Sequence, residues 1–212
     1  MYMTDGGWVL TLLDSVSAAA RTLSVSEIVA VLSAIAYLVL VIYQNILCWL
    51  AALISVLIYM VIFFDARLYM ESALQVFYMG MAVYGWYQWK YGGDKHDRLQ
   101  IATWQLQTHM LVVAGVFCLA AVFGWALSRT DAAMPYLDSF TTVAAIVATY
   151  MVARKILENW IYWFVIDAGS VYLYGLRDLY LTAALYVLYL VMIVIGFRRW
   201  WRDWQIQRAE TM

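Results

Sequence analysis

The sequence predicts an all-α membrane protein of seven transmembrane helices in a 3+1+3 parallel repeat. Three observations lead there. Of 212 residues, 66% are hydrophobic and 13% charged, with a mean hydropathy of +0.76, where a soluble domain carries about 25% charge. No charged residue occurs over 28–64, 72–89, 99–128 or 179–197, and roughly twenty apolar residues suffice to span a bilayer. Finally, an aromatic and aliphatic pattern occurs twice. Leu68-Tyr69, Gln75-Val76-Phe77-Tyr78 and Gly85-Trp86-Tyr87-Gln88-Trp89 align with Leu179-Tyr180, Tyr186-Val187-Leu188-Tyr189 and Gly196-Phe197-Arg198-Arg199-Trp200, each 111 residues on.

Residues 1–24 read either as a short interfacial helix carried by Trp8, Leu10, Leu12 and Leu13 or as a terminal extension. They lack a basic segment and a small-residue cleavage site, so no cleaved signal peptide is expected. Helices are expected at about 25–43, 45–64, 68–89, 106–127, 137–153, 157–175 and 178–198. Gln44-Asn45 interrupts the first long apolar run, and Asp65-Ala66-Arg67 closes the second. Residues 90–105 form a polar loop, strongest at Lys90–Arg98, and 199–212 a basic tail. Cys48 and Cys118 both fall inside spans, so no disulfide framework is expected.

The units are thus 25–89 and 137–198, with 106–127 as linker helix. Three helices is an odd number, so adjacent triplets would point in opposite directions, and the fourth helix restores a common one. Nearer the first helices the register drifts. Asn45 and Trp49 align with Asn159 and Trp163 at an offset of 114, and Ser55 with Ser170 at 115, which reads as small insertions. Arg21, Arg67, Arg129 and Arg177 fall on the N-terminal side, and the nine other lysines and arginines on the opposite one. The positive-inside rule then puts the N-terminus outside and the C-terminus in the cytoplasm. The Arg198–Arg202 cluster reads as interfacial anchoring.

Polar and aromatic groups within spans are costly unless they face protein or water, so they point to function. On the sixth helix Trp160, Trp163 and Asp167 stand at i, i+3 and i+7, on one face. Two indoles and a carboxylate suit a flat, cationic heterocycle, the rings stacking on it and the carboxylate pairing with charge or accepting hydrogen bonds. The plainer alternatives are interface anchoring for the tryptophans and a packing network for Asp167. On the third helix Glu71, Gln75 and Tyr78 make a second stripe, answered on the seventh by Thr182, Tyr186 and Tyr189. These can hold a ligand edge or bond to neighbouring helices. Asn45 and Trp49 complete the candidate set with Asn159. The sequence offers no nucleophile elbow, HExxH, phosphate loop or CxxC, and His96 and His109 are isolated. Neither an enzyme, a metal centre, a cofactor nor ATP coupling within the chain is expected.

At Tyr84–Trp89, at Glu158–Trp163 with Asp167, and at Leu179–Ala183 the chain resembles the PnuC family of bacterial vitamin transporters, over about 25–202. The resemblance implies a SWEET-like fold in the inner membrane, often a homotrimer, and facilitated diffusion with trapping by a cytoplasmic vitamin kinase. It implies no nucleic acid. The family's tryptophan pair carries over to Trp160 and Trp163, and its amides to Asn45, Gln75 and Asn159. Its best-known branch carries nicotinamide riboside. Leu68–Glu71 followed by Leu74–Tyr78, and Asp167, depart from that branch, while Asn45 to Trp49, Leu74-Gln75 and Glu158-Asn159-Trp160 look closer to the thiamine branch. The resulting expectation is a carrier for a cationic vitamin, thiamine first and nicotinamide riboside as the alternative, held between helices 2 and 3 and helices 6 and 7. A proton-coupled carrier using Asp167 and a non-transporting scaffold are the further alternatives.

Overall fold

The structure is a computed structural model, and it describes residues 24–65, 67, 69–93, 99–130, 134–176 and 180–210. Nearly all of the 1–24 segment lies outside these residues, as do His96 and the side chains of Glu71 and Thr182. The described residues form seven helices: α1 Val25–Ile42, α2 Cys48–Asp65, α3 Tyr69–Tyr91, α4 Leu106–Leu127, α5 Pro135–Ala153, α6 Asn159–Leu176 and α7 Tyr180–Glu210.

Local chemistry sets the starts. Ser24 caps α1: its hydroxyl accepts the Glu27 amide while the Glu27 carboxylate accepts the Ser24 amide at 2.6 Å, a reciprocal capping box. Pro135 opens α5 at the one position where a missing N–H costs nothing. Two ends are built alike. Gln44 N–H bonds Val41 O and Asn45 N–H bonds Leu40 O, while Lys155 N–H bonds Val152 O and Ile156 N–H bonds Met151 O. This is the Schellman arrangement, whose turning residue is normally glycine. Here it is Gln44 and Lys155, both at φ 51°, a left-handed conformation costing a side-chain-bearing residue about 1 kcal/mol or more.

Five of the seven helices, α1, α2, α4, α5 and α7, are long and apolar enough to cross a membrane. Helices α3 and α6 are equally long but diluted by tyrosine, tryptophan, glycine and polar residues. Outward-facing apolar side chains such as Leu111, 76% exposed, and Phe117, 61% exposed, require lipid rather than water around them. The chain is a multi-pass membrane protein.

Helices α1–α3 pack together, as do α5–α7, and α4 leans on α5. The halves meet where α3 touches α5 and where α1 touches α7. The bounds of α2 shifted by 111 are those of α6, and α1 and α3 shifted likewise start within one residue of α5 and α7. The expected drift to 114 and 115 is therefore not what the fold uses. Trp49 corresponds to Trp160, and Cys48 to Asn159, because the two Schellman turns lie in the same register.

Two differences concern the ends. Helix α7 does not stop near 198 but runs 31 residues to Glu210, about 46 Å at 1.5 Å per residue. Nothing in Arg198–Glu210 breaks a helix, so the basic tail is its continuation. The segment before α4 is not a free loop throughout. Ala102 bonds Lys155 O and accepts from Leu157 N–H, and Ile101 is buried with its N–H on Gln207 Oε1.

Candidate functional site

Among the described residues a cavity of about 420 Å³ opens between α1, α5, α6 and α7, with Tyr78 of α3 reaching in. Its wall contains three pairs related by the 111-residue register: Ala34 with Ala145, Val41 with Val152, and Tyr78 with Tyr189. The cavity thus lies where the two halves face each other. Apart from the hydroxyls of Tyr37, Tyr78, Tyr186 and Tyr189, its polar groups come from two helices. Asp138, Thr141 and Thr142 come from α5, and Asn159, Trp163, Asp167 and Ser170 from α6. At the register positions of Asn159, Trp163 and Asp167, α2 has Cys48, Ala52 and Val56.

The end near the α5–α6 turn is built from fully buried side chains. Trp160 is 2% exposed, stands edge-on to Trp200 at 5.5 Å, and packs over Gly196, where an added Cβ would come within 2.4 Å of its ring. Asn159 is fully buried and donates through Nδ2 to Ile156 O at 2.6 Å. That bond fixes the amide orientation and leaves Asn159 Oδ1 without a partner, as is Trp160 Nε1. Orphaned buried polar atoms cost about 1–3 kcal/mol each. Both residues line the cavity, while the two atoms themselves are shielded from solvent.

Of the ten candidate residues, the cavity gathers Trp160, Trp163, Asp167, Asn159, Tyr78, Tyr186 and Tyr189. Trp49, Asn45 and Gln75 do not line it. Trp49 is 1% exposed and wedged between Gly85, Trp89 and Tyr37, so it is the packing counterpart of Trp160 rather than a clamp. Asn45 is exposed and turns its Oδ1 onto the Leu47 amide, the local bond that asparagine favours beside a helix start. Gln75 is half-buried on α3, whereas the cavity is walled by α1 and α5 in place of α2 and most of α3. Sequence reasoning passed over Asp138, Thr141 and Thr142. Their i, i+3, i+4 spacing beside Ala144-Ala145 is a one-sided polar stripe, and that signal was available.

Electrostatically the cavity is acidic. Asp138 and Asp167 line it, and no lysine or arginine does. A second cavity, about 440 Å³ between α4, α5 and α6, is almost wholly apolar. His109 is not isolated there: it bonds Tyr162 Oη at 3.0 Å and stands 3.8 Å from Glu158. No group of three or more potential metal ligands occurs among the described residues.

The bundle and its central cavity define a multi-pass helical membrane protein with a polar chamber between its helices. The model of the family described as nicotinamide mononucleotide transporter matches residues 24–202, and the chain belongs to that family. Over 135 residues it is 30% identical to the riboflavin/roseoflavin transporter RibM of Streptomyces davaonensis, covering 62% of this chain and 63% of that one. The chain therefore matches less than two thirds of that relative's length. It is 27% identical over 175 residues to the nicotinamide riboside transporter PnuC of Escherichia coli, 70% of this chain and 73% of that one. The solved structure of the vitamin B3 transporter PnuC shares its fold, with a TM-score of 0.70 over 97% of this chain and 94% of that one, at 24% identity.

Proposed function

We propose that the chain is an inner-membrane carrier for a cationic, heteroaromatic, water-soluble vitamin. The observation that carries this reading is a wall with two carboxylates, two indoles and no basic side chain. Trp160 and Trp163 offer ring faces, Asp167 offsets the cation, and Asn159 Oδ1 with Trp160 Nε1 takes the ring edge. Nicotinamide riboside, a pyridinium with a carboxamide, presents the donor and acceptor that this edge lacks, and relatives named for it support it. Thiamine is the second reading. Its thiazolium and aminopyrimidine meet the same groups, and Asp167 with the Leu74-Gln75 pattern favours it.

In this reading helices α1–α3 and α5–α7 are the parallel repeats of a 3+1+3 fold and rock about the solute. The N-terminus is outside, and the arginine-rich end of α7 is cytoplasmic. Transport is facilitated diffusion by a homotrimer, made one-way by phosphorylation in the cytoplasm. A proton-coupled version would assign Asp167 to the proton; uptake into vesicles that ignores an imposed pH gradient excludes it.

Calorimetric titration of the purified protein with nicotinamide riboside, thiamine and riboflavin tests the substrate class. Binding of one cationic vitamin alone is the expected result. Preference for neutral riboflavin overturns the cation reading, and binding of none moves the weight to a membrane scaffold.

A further inference from the structure

Towards the α1–α2 and α5–α6 turns the cavity ends at Val41, Val152 and Trp160. Just beyond, the halves are tied by two reciprocal bonds. Trp200 Nε1 of α7 donates to Val41 O of α1 at 3.0 Å, and Trp89 Nε1 of α3 donates to Val152 O of α5 at 3.1 Å. With Trp49 and Trp160 these indoles form a continuous chain, Trp49–Trp89–Trp200–Trp160, at centroid spacings of 5.5, 6.3 and 5.5 Å. The four are at most 4% exposed.

On the far side of this layer the two strained turn residues meet. Lys155 Nζ donates to Gln44 Oε1 at 3.1 Å, and Gln44 Nε2 donates to Asp203 Oδ2 of α7 at 2.9 Å. The Lys155 ammonium also lies 4.7 Å from the Trp89 ring centroid. Glycine at either turn would remove the left-handed strain and the side chain together. The chain instead keeps a strained glutamine and a strained lysine, and their side chains join the α1–α2 turn, the α5–α6 turn and α7.

We infer that Gln44, Lys155 and Asp203, with Trp89 and Trp200, form the latch that closes this end of the cavity and has to part for solute to leave there. The inference rests on the carrier reading. The hydrogen bonds and the cation–ring contact all join elements of opposite halves, and the Trp89–Trp200 ring contact crosses with them. Water can replace the hydrogen bonds on opening, so their net contribution is small, and the indole surface that parting would expose favours the closed state. Parting of the halves hydrates Lys155 and Asp203, which offsets the lost pairing.

Cys48 supplies the reporter, because it is fully buried in the same cluster as Trp49, Trp89 and Trp200. In a Cys118→Ser background, oriented vesicles are treated from either face with a membrane-impermeant maleimide. Cys48 should be nearly unreactive, and Gln44→Gly or Asp203→Ala should raise labelling from the face bearing these turns by about fivefold per lost hydrogen bond. Gln44→Gly should do so with an unchanged or higher Tm, since it relieves the turn, which separates opening from unfolding. Trp200→Phe is the third variant. Unchanged labelling in all three, or a rise equal from both faces, overturns the latch. Calorimetry on the same proteins keeps the readings apart: side-selective labelling without binding of nicotinamide riboside, thiamine or riboflavin supports the latch and removes the substrate assignment.

Discussion

Trp160 lies against the bare backbone of Gly196, so close that a methyl group there would stand 2.4 Å from its Cη2. Gly85 is related to Trp49 in the same way at 2.3 Å. The two glycines are thus equal in packing but unequal in consequence, since Trp160 lines the cavity and Trp49 does not. Gly196→Ala should push the Trp160 ring into the cavity and weaken vitamin binding about tenfold without touching the ligand itself. Gly85→Ala should destabilise by a comparable 1–3 kcal/mol of overpacking while leaving affinity within about twofold. Titration calorimetry alongside thermal melting of both variants decides. Equal losses of affinity would mean that Trp160 is a packing residue only.

The two carboxylates are expected to differ in kind. Asp167 lies between Trp163 and Ser170 on the α6 face, and Asp138 in the first turn of α5. Asp167→Asn keeps shape and removes charge, and should lower affinity for a cationic vitamin about tenfold, a charge-assisted contact of roughly 1–2 kcal/mol. Asp138→Asn should change affinity less but flatten its dependence on salt, as expected of a charge felt through water. Titration at two ionic strengths separates them. An Asp167→Asn protein with wild-type affinity for both cationic vitamins would take that carboxylate out of the site.

Asn159 offers a substitution that the protein itself has already tried. At the matching place in the other half stands Cys48, buried at the same helix start. Asn159→Cys should therefore fold. It removes the orphaned Oδ1 of a residue that lines the cavity, and affinity should fall about fivefold or more for a lost hydrogen bond. Far-ultraviolet circular dichroism and calorimetry together check this. A folded variant with full affinity assigns the amide to the α5–α6 turn alone.

The helices were legible because lipid enforces long charge-free runs, and every expected helix lies within a few residues of its place except at the end of α7, which runs on to Glu210. The face of α6 was legible because 160, 163 and 167 follow the helical period. What the sequence hid was the direction of packing. Trp49 and Trp160 are chemically identical and each packs on a glycine, and only the fold shows that Trp160 also lines a cavity while Trp49 does not. Asn45 resembles Asn159 by type, yet the turn at Gln44 puts it three residues before the corresponding start. Residue likeness misled at both places because a left-handed glutamine, with no sequence signature of its own, sets the register. Asp138, Thr141 and Thr142 were passed over because the search for polar groups stayed with the aromatic-rich helices.

Trp163 is half-buried, lines the cavity and touches the core with part of its ring. If it stacks on a cationic heterocycle, flatness and π-density matter and the indole N–H does not. Trp163→Phe should then retain most of the affinity, while Trp163→Leu, also apolar but without a π-face, should lose about tenfold, in line with cation–π contacts of roughly 0.5–2 kcal/mol. An interfacial anchor would order the variants differently, since anchoring draws on the amphipathic ring and shows in stability rather than in binding. Calorimetry with nicotinamide riboside and with thiamine, set beside melting curves of the same samples, distinguishes the two roles. Equal affinity of the phenylalanine and leucine variants would end the stacking model.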